Sequence, residues 1–327
     1  VDTPIQGESF IMKILVTGGK GFIGSKIVEM LSNDGHKVTV VDNHDTYGIM
    51  TKQELHKLYE WRTRNWNPKN VAMIAGDVLD RLVCLKAFSH RPDIVIHLAT
   101  YPRAKIVDND PIVGIPKVIN TTTNLLWHST KFAVKKFVYI SSSMVYGDFE
   151  DGTKEDGKTK PKNIYGEAKL TGERMVKLIS KRDGLNYNII RPSGVYGPGD
   201  MPDRVVSKFF DKAMKNETIT LHNGDNKVDF TYRQDAATGI VQAALSSVAN
   251  VSFNITAGNA TSLRTLAELI IEITGSKSDI EDIGNHKLYP MRGTLDISRA
   301  KDLLGYEPKF SLKEGLQSYY DWLQLKI

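Results

Sequence analysis

Short apolar runs alternate with longer mixed stretches through the first half of the chain. Ile14-Leu15-Val16 stops at a glycine cluster, and Lys37 to Val41 stops at Asp42. Val71 to Ile74 precedes Gly76-Asp77, and Asp93 to Ala99, Lys136 to Ile140 and Asn188 to Ile190 follow at similar intervals. The intervening stretches carry helical spacing: Phe22 to Leu31, a segment after Asp80, Pro116 to Ala133, and the region from Tyr165 to Lys181. Apolar strands alternating with amphipathic helices predict an α/β fold, a doubly wound parallel sheet covered on both faces. Ligands of such sheets lie beyond the carboxyl ends of the strands. Gly18, Asp42, Asp77, Ala99, Ser142 and Arg191 fall at those ends.

Two stretches break the rhythm. His44 to Pro68 is too long for an ordinary connection, holds Trp61 and Trp66, and predicts a short helix of its own. Asp148 to Lys162 is rich in Gly, Lys, Asp and Glu and reads as an exposed loop. After Arg191 the character changes. Gly194, Gly197, Pro198, Gly199, Asp200 and Pro202 mark entry to a second, smaller and mostly helical C-terminal part. The expected division places one domain at 12–192 with a returning segment near 229–257. A second domain, which would bind substrate, takes 193–228 and 258–327.

The glycines carry the first chemical signal. Gly18-x-x-Gly21-x-x-Gly24 lies between the first apolar run and the first amphipathic stretch. A strand, a tight turn and a helix in that order present unpaired N–H groups and a positive dipole end, where a pyrophosphate binds. A plain strand-to-helix turn has the same pattern. The next strand ends at Asp42, placed to accept from an adenosine ribose and to repel a 2′-phosphate, which favours NAD over NADP.

Composition narrows the setting. The chain has 327 residues, 41% hydrophobic and 25% charged, enough for a large core. A net charge of +5 is spread along the sequence and fits an anionic small molecule as well as a solvated surface. No motif supports nucleic-acid binding, and no apolar run approaches the ~20 residues that span a bilayer. The lone cysteine, Cys84, allows no internal disulfide or cysteine metal site; it reads as a buried thiol in a cytoplasmic protein with no metal. Residues 1–11 precede Met12 and read as a tail or a cloning remnant.

Tyr165 and Lys169 are spaced i and i+4, so on a helix they share a face. With 13 tyrosines in a lysine-rich chain, such a pair also arises by accident. The helix follows the strand that ends at Ser141-Ser142-Ser143, so a hydroxyl and the pair can meet over a nicotinamide ring. A free phenol, with a pKa of about 10, is a poor base at neutral pH; a neighbouring ammonium favours the phenolate.

From Met12 on, the chain resembles the extended short-chain dehydrogenase/reductases, in particular the NAD-dependent nucleotide-sugar epimerases and dehydratases. The pieces that carry the resemblance are TGGKGFIG, VVDN, AGDVLD, HLAT, YISSSMVYGD, YGEAK, IIRPSGVYGPGD, DFTYRQD, FNITAGNATSL and LDISRAKDLLGYEP. It implies that Gly18, Gly21, Phe22, Ile23 and Gly24 hold the pyrophosphate of NAD. Asp42 and Asn43 would take the adenosine ribose, and Asp77 and Val78 the adenine. Leu98, Ala99, Thr100, Ser141 and Pro192 would line the rest of the cofactor's path. It makes Tyr165 the general base and acid, Lys169 the ribose ligand and Ser142 the catalytic hydroxyl. Ser142, Ser143, Tyr165 and Arg292 would face the substrate.

The family pattern is not complete. Gly194 replaces an asparagine that touches substrate in many relatives, and Val228 an arginine that binds substrate phosphate, a role for which Arg292 is the candidate. Dehydratases of the family resemble one another in an acidic pair after the catalytic hydroxyl, where this chain has Ser143 and Met144. The cysteine of the 3,5-epimerases also has no counterpart. What remains implies 4-epimerisation of a UDP-hexose or UDP-N-acetylhexosamine through a 4-keto sugar. Gly293, three residues before Asp296, would be the small gate residue of relatives that accept N-acetylated sugars. A net nucleotide-sugar reductase and a non-catalytic NAD sensor are the alternatives. Relatives pair two helices per subunit in a homodimer. Here those are Pro116 to Ala133, where Leu125, Leu126 and Trp127 offer an apolar face that core packing explains as well, and Tyr165 to Lys181.

Overall fold

The computed structural model describes residues 11–101, 104–284 and 290–325. Most of the 1–11 segment, and Tyr289 near the break in the C-terminal region, lie outside the described residues. The order of elements is β1 (Lys13–Thr17), α1 (Phe22–Asn33), β2 (Lys37–Asp42), α2 (Lys52–Thr63), β3 (Val71–Ala75), α3 (Arg81–Phe88) and β4 (Ile94–His97). It continues with α4 (Ala104–Asn109), α5 (Pro111–Lys131), β5 (Lys136–Ile140), α6 (Ile164–Asp183), β6 (Asn186–Pro192), α7 (Val205–Met214), β7 (Ile219–Leu221) and β8 (Lys227–Asp229). The C-terminal part adds α8 (Arg233–Leu245), β9 (Val251–Ile255), β10 (Ala260–Ser262), α9 (Leu263–Thr274), β11 (Ile280–Asp282), α10 (Ser298–Leu304) and α11 (Leu312–Gln324).

Seven strands form one parallel sheet in the order β3-β2-β1-β4-β5-β6-β9. The order reverses between β1 and β4, which opens a crevice at their carboxyl ends. Ile14 and Val16 face one buried layer with α1 and α8, and Leu15 faces the other with α3, α5 and α6. Burial on both faces is why these strands are apolar throughout rather than alternating. A third core, built on Phe209, Phe210, Leu266, Ile270 and Tyr319, lies under α7, α9 and α11.

The helix expected between His44 and Pro68 is α2, started by a capping box of Thr51 and Glu54. The helix read as Pro116 to Ala133 begins earlier, at Pro111, because Asp110 caps it through the Val113 N–H at 3.2 Å. Pro116 therefore sits inside α5. The carbonyl it leaves unpaired belongs to Ile112, a strongly exposed residue where water can take the bond. Of the two readings of Leu125, Leu126 and Trp127, core packing holds for the leucines, which are buried in the sheet's core, and only Trp127 of the three is exposed. Cys84 is buried against the Val78 carbonyl, and burial pushes its thiol up to about 12.

Candidate active site

The glycine turn builds the first half of the site. Gly18 sits at φ +70°, and a Cβ there would stand 2.9 Å from the Ala99 nitrogen. At Gly24 a Cβ would meet the Gly18 carbonyl at 2.2 Å, so no side chain fits where the turn packs on α1. Gly21 caps α1 without a side-chain hydrogen bond, leaving the first helical N–H groups to face the cleft. That cleft measures about 1060 Å³. Its walls include Gly18, Gly21, Phe22, Ile23, Gly24, Asp42, Asn43, Asp77, Val78, Leu98, Ala99 and Thr100, so the structure brings these sequence candidates together. The buried Thr100 hydroxyl has no hydrogen-bond partner, an open position on this wall. A glycine cradle, an uncapped helix start and an orphaned hydroxyl fit a dinucleotide.

The ribose end is braced. Asp42 accepts from the Lys20 N–H at 2.9 Å, the His44 N–H at 3.0 Å and the Tyr59 hydroxyl at 3.3 Å. A carboxylate has about four acceptor positions, so one is left for a ribose hydroxyl. Asn43 donates to Asp77 at 2.9 Å and joins the second and third strand ends. Sequence reasoning missed several wall residues: Tyr47, Tyr59, Arg62, Tyr101, Lys117 and the segment Asp200, Met201, Arg204. The aromatic interruption after His44 and the glycine–proline cluster after Arg191 were their only signals.

The second half lies on α6. Asn163 caps this helix through the Gly166 N–H at 2.8 Å, which sets Tyr165 in its first turn. Tyr165 packs with Tyr101 and Tyr47, two walls of the cleft, in one small apolar cluster. Lys169 is 2% exposed, and its ammonium lies 5.9 Å from the centre of the Tyr165 ring. The ammonium donates to the Ile140 carbonyl at 2.8 Å and keeps further N–H donors. Burial pulls it down to about 7, while the charge of Glu173 pulls it up. Ser142 accepts from the Met144 N–H at 3.2 Å, so its own proton stays available to donate. Ser142, Tyr165 and Lys169 do not line the cleft; Tyr165 meets its wall through Tyr47 and Tyr101.

Below Lys169 lies a closed polar network. Arg191 donates to both oxygens of Glu173, at 2.9 and 2.7 Å, and to the Tyr146 hydroxyl and the Glu155 carbonyl. Ser141 donates to Glu173 at 2.6 Å. Its hydroxyl therefore belongs to this floor rather than to the cofactor path. Pro192 ends β6 outside the cleft wall.

The substrate half departs from its sequence reading. Ser143 is buried at the start of a short 3₁₀ turn. Arg292 lies beside Phe149 on a backbone bridge, away from the cleft wall. At Gly293 a Cβ would come within 2.4 Å of the 150–151 backbone. Loop packing thus demands glycine there whatever the sugar. Gly194 is closed in by Val228, whose side chain a Cβ would meet at 2.6 Å, so the two departures from the family pattern are packed against each other. Among the described residues no cluster of ligating side chains could hold a metal ion, and no helix is long and apolar enough to cross a membrane.

Comparison with known proteins gives the same picture. The profile of the NAD dependent epimerase/dehydratase family matches residues 14–256. UDP-glucuronic acid decarboxylase 1 of Xenopus tropicalis is 31% identical over 330 residues, covering 96% of this chain and 73% of that protein. The Thermotoga maritima UDP-glucose 4-epimerase, solved with UDP-glucose, superposes with a TM-score of 0.87 at 31% identity, over 96% of this chain and 99% of its own. The Bacillus cereus UDP-glucuronic acid 4-epimerase, solved with UDP-glucuronic acid and NAD, gives 0.86 at 28% identity, over 97% and 100%. With the glycine cradle, Asp42 at the second strand end and the Tyr165–Lys169 helix in place, the chain belongs to the NAD dependent epimerase/dehydratase family and has NAD as its cofactor.

Proposed function

We propose that this protein interconverts the C4 epimers of a UDP-sugar. The observation that carries the reading is the Tyr165–Lys169 pair, packed through Tyr101 against the inner end of the dinucleotide cleft. Gly18, Gly21, Phe22, Ile23 and Gly24 would hold the pyrophosphate, Asp42 and Asn43 the adenosine ribose, and Asp77 and Val78 the adenine. Leu98, Ala99 and Thr100 would flank the nicotinamide half. NAD, when bound, supplies reversible redox chemistry at the sugar's C4 and is regenerated in each turnover.

The chain's own residues manage the proton and the position. Tyr165 takes the proton of the sugar 4-hydroxyl and later returns it to the opposite epimer. The Lys169 ammonium favours the phenolate and uses its remaining N–H groups on the nicotinamide ribose. Ser142 donates to the reacting oxygen and holds it in line. Ser143 and Met144 supply no acid for water loss, which favours epimerisation over dehydration. Arg292, outside the cleft wall, is left for an outer substrate contact. The domain assignment is 12–192 with 229–257 to NAD and 193–228 with 258–327 to substrate; most of the first and third cores falls on either side of it, while Ile297, Ala300 and Tyr306 join the first core and Phe230 the third. A homodimer through α5 and α6 is part of the proposal, with exposed Trp127 and Leu178 as its apolar contacts, as is a cytoplasmic setting.

The test is incubation with UDP-glucose, UDP-N-acetylglucosamine and UDP-glucuronate without added reductant. The C4 epimer of at least one should form. Tyr165→Phe should lose roughly 10²- to 10⁴-fold in rate and keep its NAD. No product from any of the three would defeat the proposal. The identity to a UDP-glucuronic acid decarboxylase favours a second reading, which would appear as a UDP-pentose and carbon dioxide from UDP-glucuronate.

A further inference from the structure

A second cavity, of about 620 Å³ including space open to solvent, lies between α1, the end of α2 and the first turn of α8. Of the residues that line it, only Arg62 also lines the dinucleotide cleft. Its charges are one-sided. Lys26, Arg62, Arg64 and Arg233 face a single acid, Glu29, already bound to Lys26 at 2.6 Å.

Two of these cations are buried, Arg62 at 4% and Arg233 at 7% exposure. Their hydrogen bonds go to neutral oxygens. Arg62 donates to the Gly199 carbonyl at 2.9 and 2.7 Å and to the Lys20 carbonyl at 3.2 Å. Arg233 donates to the carbonyls of Phe22 at 2.6 Å and Pro198 at 3.2 Å, and to the Ser25 hydroxyl at 2.7 Å. Each guanidinium has five N–H donors, so these bonds leave each with capacity in hand. The two charges sit on consecutive carbonyls and repel each other; burial holds both below their ordinary range, although Asp200 and Asp42 offset part of it at Arg62 and Glu29 and Asp200 part of it at Arg233. Arg64 is held over the Trp61 ring at 4.0 Å, at the rim. α8 begins here with no side-chain cap, which adds the positive end of its dipole.

We propose that this cavity binds a phosphate-type oxyanion, held by Arg62 and Arg233 from below and by Lys26 and Arg64 from the rim. An oxyanion supplies the charge that carbonyl oxygens cannot, and planar guanidinium forks match its geometry. The consequence reaches the cofactor. Arg62 and Arg233 tie the 198–199 loop to the glycine turn through Lys20, Phe22 and Ser25. The same loop continues into Asp200, Met201 and Arg204, which wall the dinucleotide cleft. An anion between the two arginines fixes that strap and slows NAD release. This last step rests on the NAD assignment above; the binding itself does not.

The experiment is calorimetric titration of NAD-loaded full-length protein with inorganic phosphate, and separately with a sugar 1-phosphate, at ionic strength held constant with chloride. NAD loading keeps the glycine turn from taking up the probe. Saturable one-site binding is expected. The double variant Lys26→Ala/Arg64→Ala should bind about tenfold or more weakly, with unchanged unfolding temperature in phosphate-free buffer. Phosphate should slow NAD release several-fold in the unmodified protein and not in the variant. Tighter binding of the sugar phosphate identifies a metabolite as occupant, and tighter binding of inorganic phosphate identifies the free ion. No saturable binding, or equal affinity in the variant, overturns the proposal. Protein that cannot be loaded with NAD would instead count against the cofactor assignment.

Discussion

The molecule buries arginines in two different ways. Beneath Lys169, Arg191 meets both oxygens of Glu173 and adds Tyr146 and the Glu155 carbonyl. Charge is neutralised locally, and Glu173 holds the guanidinium well above its usual range. Beside the glycine turn, Arg62 and Arg233 hold the chain together as effectively, but only through carbonyl and hydroxyl oxygens. Geometry is satisfied there, while Asp200, Asp42 and Glu29 offset the buried charge only in part. The first arrangement is complete within the fold and works as a floor for Lys169 and Ser141. The second has no carboxylate hydrogen-bonded to either guanidinium, and it is the one that borders a cavity.

This contrast is broken or sharpened most strongly at Glu173. Glu173→Leu leaves Arg191 buried without a counter-charge and should cost about 3–5 kcal/mol in denaturant unfolding. The double variant Glu173→Leu/Arg191→Met should recover most of that loss, since the pair then leaves together. A single variant as stable as the unmodified protein would show that the pair does not hold the floor.

Arg62→Met is the next largest. It orphans the Gly199 and Lys20 carbonyls but also relieves a buried charge, so the cost should be about 1–3 kcal/mol by the same measurement. A loss matching that of Glu173→Leu would erase the difference between the two regions.

The smallest effect is a pH slope at Lys169. Its folded value of about 7 lies below the unfolded value of about 10.4. Between those values the unfolded chain binds a proton that the folded one does not, so stability rises with pH through that window. Below about pH 7 both states are protonated and the slope vanishes. The unmodified protein should therefore gain stability relative to Lys169→Met between pH 7 and 9, by at most about 1.4 kcal/mol per pH unit. A flat profile between pH 7 and 9 would mean that Glu173 outweighs burial at this ammonium.

Much of the cofactor half was legible because it is local. Gly18, Asp42 and Asp77 stand at the ends of strands whose apolar runs are visible in the sequence, and a parallel sheet places such ends side by side. Ser141 shows the limit. Its place after a buried strand was readable, but which side its hydroxyl takes depends on α6, where Glu173 claims it. Gly293 shows another. Its small size looked like an opening for a larger sugar, whereas the 150–151 backbone occupies the space a side chain would need. Leu125 and Leu126 gave an apolar face whose target, core or partner, only the packing of α5 on the sheet decides.

By itself the sequence determined the strand–turn–helix order, the glycine positions, the acid at the second strand end and the shared face of Tyr165 and Lys169. Each rests on spacing along one element, which backbone geometry converts directly into position. Only the tertiary structure decided how Arg62 and Arg233 are used. Arg62 reaches a carbonyl 137 residues away, and Arg233 reaches back 211 residues to the start of α1. Contacts across such separations arise from the docking of one core against another, and no periodicity within a segment records them.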